Sequence, residues 1–138
     1  MREILFRGKR IDNGEWVYGC LLNNIYGASK PVIISDSSYT DDNRIANDDW
    51  EFVIPETVGQ YTGLTDKNDK KIFEGDIVKV LDEFDHKVIY LIDYKDASFC
   101  ANQKGVNFSI YLSEFNTGRY SIEIMGNIYD NPELLEGE

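Results

Sequence analysis

Apolar and polar residues alternate with a period of two along much of the chain, which is the pattern of half-buried β-strands. In the cleanest run, 120–128, the positions of one face are Tyr120, Ile122, Ile124, Gly126 and Ile128. Shorter runs predict further strands at 2–10, 15–22, 32–34, 50–54, 57–63, 71–81, 88–92, 97–101 and 106–112. No segment has a convincing period of 3.6 residues, so the sequence predicts a mainly β protein.

Turn signals separate these strands. Asn13-Gly14 lies between two apolar runs and predicts a β-hairpin in which both turn residues have positive φ. Gly75 interrupts the run 71–81 and predicts a bend or bulge there. In the polar turn 65–69, we expect Asp66 and Asn68 to accept hydrogen bonds from turn amides.

Two segments do not fit strands. The stretch 35–49 is polar, with five aspartates against the single Arg44, and predicts a long acidic loop. At the C-terminal end, Asn131 is placed to cap a helical turn that Pro132 begins. The predicted fold is therefore a small curved antiparallel sheet or a partly open barrel, with a long acidic loop and a short C-terminal helical turn, in a single domain spanning 1–138.

Charge and hydropathy narrow the classes of partner. The net charge of −11 opposes the approach of a phosphate backbone, although one N-terminal group of basic residues keeps nucleic-acid binding open as an alternative. This group is Arg2, Arg7, Lys9 and Arg10. The aromatic residues considered for base stacking are Trp16, Tyr18, Tyr61 and Phe73, for which core packing is the favoured interpretation. No stretch approaches the roughly 20 apolar residues of a membrane helix, and the N-terminus is no signal peptide, so we expect a soluble cytoplasmic protein.

Candidate catalytic and metal-binding residues are few. Cys20 and Cys100 lie far apart and are expected to be buried free thiols, with a disulfide as the less favoured interpretation. His86 is the single histidine, and its sequence neighbours supply no nucleophile. The segment 66–77 fails as an EF-hand, because Lys71 stands where the loop needs Gly and Ile77 where it needs Glu. We therefore expect no metal, no cofactor and no enzymatic activity.

Three segments of the chain resemble the YopX-like family of phage and prophage proteins. They are 2–7 continuing into 16–19, the long motif 55–64 continuing through 78, and 126–129 with 132–135. The family-motif residues, which we expect to be structural, are Gly59, Tyr61, Thr62, Gly63, Leu64, Asp66, Asn68, Glu74, Gly75, Asp76, Gly126 and Asn127. Asp69 stands where the family often has Gly, at a position expected to need a turn conformation that Asp tolerates less well.

The resemblance implies a phage or prophage origin in a bacterial host cytoplasm and suggests self-association, without implying a known activity. Two classes of function follow. The first is a non-enzymatic structural or interaction protein that assembles with itself and binds an unknown host or phage protein. Strand runs with apolar residues on both faces, such as 15–22, favour a homo-oligomer. The second class is nucleic-acid related: a weak DNA or RNA binder, or an acidic DNA mimic that acts on a host DNA-binding protein.

Overall fold

The computed structural model of the chain describes residues 3–22, 31–35 and 50–136. Except for Ser35, the predicted acidic loop lies outside these residues, as does Arg2 of the N-terminal basic group. The strands are β1 (Phe6–Lys9), β2 (Trp16–Leu22), β3 (Val32–Ser35), β4 (Trp50–Phe52), β5 (Gly59–Thr65), β6 (Lys71–Phe73), β7 (Asp76–Leu81), β8 (Lys87–Lys95), β9 (Ser98–Asn102), β10 (Ser109–Tyr111) and β11 (Ser121–Asn127). Short 3₁₀ helices span Pro55–Thr57, Leu112–Phe115 and Pro132–Leu135.

The prediction of a mainly β fold is confirmed. The strands form two antiparallel sheets that do not close into a barrel. The chain divides into two compact units, Met1–Tyr61 and Thr62–Glu138, with β5 running from the first into the second.

The first unit contains the strand order β4-β3-β2-β1-β5. Its sheet curls, because the end of β1 also meets the chain that follows β4: Ile54 N–H donates to the Lys9 carbonyl (2.8 Å). Gly8 permits this approach, since a Cβ atom there would lie 3.0 Å from the Cβ of Val53. The predicted β1–β2 hairpin is present, but its turn differs from the prediction. Only Gly14 has positive φ among the described residues of the loop, because the Arg10–Glu15 hydrogen bond leaves a loop longer than two residues.

The second unit contains the end of β5 paired with β6, and a five-stranded sheet of order β10-β9-β8-β7-β11. Alternate residues of its central strands point to one face, where they build the hydrophobic core. The buried members of this core are Ile72, Val78, Val80, Tyr90, Ile92, Ala101, Leu112, Phe115 and Ile122. This cluster accounts for the β-branched and aromatic runs that predicted these strands.

Three details of the second unit differ from the sequence pattern. The alternation along β11 breaks at a bulge between Ile124 and Gly126. The strand predicted at 106–112 shortens to β10, because Leu112 begins a 3₁₀ helix that turns its side chain into the core. A 3₁₀ turn forms at Pro132–Leu135, but the Asn131 side chain does not cap it and instead accepts the Asn127 N–H (3.2 Å).

Candidate functional site

The Asp66 turn is the most densely bonded part of the family motif. Asp66 is only 5% exposed, and its Oδ1 accepts the N–H groups of Asn68 (2.8 Å) and Lys70 (3.0 Å). Its Oδ2 accepts the N–H of Ile124 on β11 (3.0 Å). Burial raises the pKa of Asp66, but the three N–H donors and the nearby Lys70 charge outweigh burial and hold this pKa below its ordinary value. The carboxylate therefore accepts hydrogen bonds from the backbone of the turn and of β11.

Asp69 closes this turn with φ of 64°, in the left-handed region. This conformation explains why glycine suits the position, since glycine adopts positive φ without steric cost. Asp tolerates the region better than most residues do, and the turn forms with it.

The second motif turn, Glu74-Gly75-Asp76, joins β6 to β7. Gly75 has φ of 91°, its N–H donates to the Ile92 carbonyl (2.8 Å), and its carbonyl accepts the Ile128 N–H (2.8 Å). Asp76 is almost fully buried, and its Oδ2 accepts the N–H of Phe73 (2.8 Å). The predicted bend is therefore present. Through the two backbone hydrogen bonds of Gly75, it connects β8 with the chain that follows β11.

The third motif segment, Gly126-Asn127, ends β11. Gly126 packs closely on Asn131, whose Cγ would lie 2.8 Å from a Cβ atom at this position. The Asn127 Oδ1 accepts the N–H groups of Tyr129 (3.0 Å) and Asp130 (2.9 Å). The side chain of Asn127 thus shapes the turn that leads to the C-terminal 3₁₀ helix.

The remaining motif residues lie on β5. In the first unit, Gly59 pairs with Arg7, and Tyr61 N–H donates to the Leu5 carbonyl (2.8 Å). In the second unit, the Thr62 hydroxyl donates to the Ile72 carbonyl (2.8 Å), Gly63 has φ of 93°, and Leu64 packs against the core. The structure thus places the motif residues of the second unit in strand ends and turns, in contacts that stabilise the fold.

The three basic residues of the N-terminal group that the structure describes contact neighbouring side chains. Arg7 is buried, with its guanidinium 4.6 Å from the ring centre of Trp16, and Lys9 Nζ lies 5.6 Å from the same ring. Arg10 makes a bidentate pair with Asp12 (3.0 and 2.8 Å), which raises the pKa of Arg10 and lowers that of Asp12. Asp12 and Glu51 thus offset the charge of Arg10, which leaves less positive charge for a phosphate backbone than the sequence suggests.

One face of the first unit's sheet carries exposed apolar side chains. Strand register places Leu22, Val32 and Phe52 in one row, and Cys20, Ile34 and Trp50 in the next. Tyr18 precedes them on the same face of β2. Tyr18, Leu22 and Phe52 are 46%, 37% and 50% exposed. We call Tyr18, Cys20, Leu22 and Phe52 the apolar face.

The apolar face corrects one expectation about the cysteines. Both thiols are free, and Cys100 is buried as predicted, but Cys20 is exposed. The cause is the alternation of β2, which buries Gly19 on the opposite side and turns Cys20 outward beside Tyr18 and Leu22. Of the predicted aromatic candidates, Phe73 is buried and Tyr18 is open to solvent. Phe52 was missed, because only the β3–β4 register brings it into line with Leu22.

His86 lies on the surface of the second unit. The ring Nδ1 of His86 is 3.0 Å from Asp82 Oδ2, and the backbone N–H of His86 donates to Asp82 Oδ1 (2.9 Å). Among the described residues, no group of three His, Cys, Asp or Glu side chains is placed to hold a metal ion. Within the same ranges, no helix is both long and apolar enough to cross a membrane.

The two sheets and the motif-stabilised turns define an all-β protein whose most specific sequence signature serves its backbone. The chain belongs to the YopX family: the family model described as YopX protein matches residues 5–136. The crystal structure of protein EF1440 from Enterococcus faecalis is similar, with 25% sequence identity and a TM-score of 0.61. The similarity covers 98% of this chain and 99% of that one. No curated protein matches the chain.

Proposed function

We propose that this YopX-family chain is a non-enzymatic interaction protein that assembles with copies of itself through the apolar face. The observation that carries the proposal is the exposure of Tyr18, Leu22 and Phe52 on one side of the first unit's sheet. Large apolar side chains grouped on a soluble protein's surface are typical of an interaction site. The proposal includes a phage or prophage origin and a bacterial host cytoplasm, which the family resemblance favours.

The lack of charged residues in the rows of the apolar face favours a second copy of the chain as its occupant. Two copies that each carry a net charge of −11 repel one another, so their contact is most favourable where few charges are buried. The rows Leu22–Val32–Phe52 and Cys20–Ile34–Trp50 contain no charged residue. Val32 and Ile34 are already buried within the chain, so the gain in free energy comes from covering Tyr18, Leu22 and Phe52, and it brings no carboxylates together.

The family motif supports a non-enzymatic role. Asp66 and Asn127 bind backbone N–H groups with their side-chain oxygens. A carboxylate held below its ordinary pKa by such bonds is a poor general acid at neutral pH. The residues that resemble the family most specifically are therefore explained by turn formation.

Light scattering across a salt series tests self-association. We expect an oligomer at tens of micromolar protein whose association strengthens with salt, because salt screens the repulsion between acidic subunits and does not weaken apolar burial. The variant Phe52→Lys should be monomeric. Phe108→Lys is the matched control, because Phe108 is also strongly exposed but lies in the second unit, and this variant should remain oligomeric. A wild-type monomer at every salt concentration would reject the proposal, and dissociation by salt would reject its apolar cause.

A nucleic-acid-related role is the second candidate. It is favoured by one observation: Arg7 and Lys9 lie over Trp16, and Arg7 is in register with the exposed Tyr18. Such a basic and aromatic arrangement is used to stack single-stranded bases. We expect binding to duplex or single-stranded DNA to be weak at physiological salt, because of the negative net charge. A salt-sensitive gel shift at micromolar protein that Lys9→Glu abolishes would favour this candidate over self-association. An acidic DNA mimic would instead bind a host DNA-binding protein without shifting DNA.

A further inference from the structure

The second unit contains a cleft that the sequence pattern did not predict. Its volume is about 280 Å³, and it opens on the core face of the sheet, between the ends of β7 and β8 and the 3₁₀ helix Leu112–Phe115. Apolar residues form part of its lining and polar residues the rest. The full lining is Val80, Asp82, His86, Val88, Tyr90, Ile110, Glu114, Phe115 and Tyr120.

Three aromatic rings stand side by side in the lining of this cleft. The ring centres of Tyr90 and Phe115 are 5.3 Å apart, and those of Phe115 and Tyr120 are 5.1 Å apart at an interplanar angle of 88°. The Phe115–Tyr120 pair is edge-to-face and the Tyr90–Phe115 pair is tilted at 48°, and aromatic contacts of both kinds favour particular ring orientations. The π-electron face of such rings attracts cations, and planar cations also stack on it.

Tyr90 places an unpartnered polar group in this lining. The residue is 7% exposed, and its hydroxyl makes no hydrogen bond within the described ranges 3–22, 31–35 and 50–136. Burial, followed by the influence of Tyr120, raises the pKa of Tyr90, so the hydroxyl stays protonated at neutral pH. The hydroxyl is therefore open to a hydrogen bond with a group bound in the cleft.

The charged groups of the lining favour a cation. They are the carboxylates of Asp82 and Glu114, and the lining contains no Lys or Arg. The hydrogen bond from the backbone N–H of His86 lowers the pKa of Asp82, and the bond from the Phe84 N–H lowers it further. Burial raises this pKa by less, so it stays below its ordinary value. Glu114 is exposed and makes no ion pair with any residue that the structure describes. One carboxylate is thus available to a ligand beside an aromatic wall.

We propose that the cleft binds the guanidinium group of an arginine side chain from a basic partner protein. This inference rests on the proposed interaction function and names the chemistry of its unidentified partner. Arginine fits better than lysine, because its planar group stacks on aromatic rings while its N–H donors bond to a carboxylate and to a phenolic oxygen. The net charge of −11 gives the chain a long-range attraction for such a partner.

Nuclear magnetic resonance titration of the full chain with N-acetyl-arginine amide tests the proposal. The matched probe is N-acetyl-citrulline amide, which has nearly the same shape without the charge. We expect shifts at the amides of 80–90 and 110–120 with a millimolar dissociation constant, and citrulline should bind at least about tenfold more weakly, the factor that one charge-assisted hydrogen bond supplies. Equal binding of the two probes, or no binding of either, would overturn the proposal.

Three variants locate the site. Glu114→Gln should weaken arginine binding about tenfold, since it removes the available charge and keeps the side-chain shape. Glu83→Gln is the control, because it makes the same charge change on an exposed residue outside the lining, and it should bind as the wild type does. Tyr90→Phe should weaken binding without lowering the melting temperature, because the hydroxyl has no partner in the free protein. Equal effects of the two glutamate variants would show nonspecific attraction and overturn the assignment.

Light scattering on the same samples separates this proposal from self-association. An oligomer that persists when the arginine probe is bound supports two independent interactions. If the protein binds arginine but is monomeric at every salt concentration, the self-association proposal is rejected and the arginine-binding proposal is supported. If the probe dissociates the oligomer, the occupant of the cleft is a second copy of the chain, and the assignment to a different partner is wrong. Shifts of the cleft amides with single-stranded DNA, in the absence of shifts with arginine, would assign the aromatic wall to base stacking.

Discussion

Replacement of Asp66 by alanine removes the acceptor of three backbone N–H groups at once. Two of these, from Asn68 and Lys70, belong to the turn, and the third, from Ile124, belongs to β11. Each hydrogen bond to a charged acceptor contributes roughly 1 kcal/mol or more, and a donor left buried without water adds a desolvation cost. We expect Asp66→Ala to lower the free energy of unfolding by about 3 kcal/mol, a large share of the stability of an ordinary domain.

Asp82 provides a matched control for this prediction. Its Oδ1 accepts the N–H groups of Phe84 (2.8 Å) and His86 (2.9 Å), which is the same local spacing as in the Asp66 turn. The Asp82 turn is exposed, and its Oδ2 contacts the ring of His86 within the same turn (3.0 Å) rather than a distant strand, so it has no tertiary bond equivalent to that of Ile124. Asp82→Ala should therefore lower the free energy of unfolding much less than Asp66→Ala does, and the difference between the two variants reports mainly the tertiary bond and its burial.

Urea unfolding and amide hydrogen exchange measure the two effects. The unfolding midpoint should fall much further for Asp66→Ala than for Asp82→Ala at an unchanged m-value. The Ile124 amide should lose protection in the first variant and keep it in the second. If the two variants unfold at the same midpoint and Ile124 stays protected, the bond from Asp66 to β11 does not stabilise the fold as argued.

The pH dependence of Asp66→Asn checks the same carboxylate. The folded protein holds the pKa of Asp66 below its unfolded value of about 3.9, so the ionised group stabilises the fold at neutral pH. This contribution is lost as pH falls below about 4 and through the lower folded pKa. The wild type should exceed Asp66→Asn in stability at pH 7, and the gap should narrow in acid. A gap that stays constant from pH 7 to pH 2 would contradict the assignment.

Three further substitutions or modifications follow from the backbone and the strand faces. Asp69→Gly should raise the free energy of unfolding by up to about 1 kcal/mol, because φ of 64° is strained for Asp but not for Gly; a lower unfolding midpoint in urea would contradict this. Gly126→Ala should lower it by about 1–3 kcal/mol, since the added Cβ would lie 2.8 Å from Asn131 Cγ; wild-type stability in the same assay would refute the close approach. In the Phe52→Lys variant, which is expected to be monomeric, a thiol reagent should modify Cys20 in the folded protein and Cys100 only after unfolding, as mass spectrometry of quenched samples would show; equal rates would contradict the burial of Cys100.

Local chemistry made the turns predictable. Gly14, Gly75 and Asp69 stand at positive φ, where side-chain sterics favour only a few residue types. The carboxylate of Asp66 bonds to amides two and four residues later, within reach of its own turn. Because these interactions depend on neighbours in the chain, the pattern of residues predicts them without knowledge of the fold.

Strand pairing was decided only by the tertiary structure. Alternation along β2 divides its residues into two faces but does not say which face is covered, so Cys20 was expected to be buried and is exposed. The bulge at Ile124–Gly126 likewise depends on the pairing of β11 with β7, which local alternation does not reveal.

The sequence by itself determined the β class, the turn positions and the family, because each depends on local periodicity or on a contiguous motif. Only the tertiary structure brought Leu22 into line with Phe52, and Tyr90 beside Glu114 and Tyr120, since these residues lie far apart in the chain. Register is set by packing over the whole sheet, and a shift of one residue would turn every side chain to the other face. For this reason the candidate interaction surfaces appear in the folded protein and not in its pattern of residues.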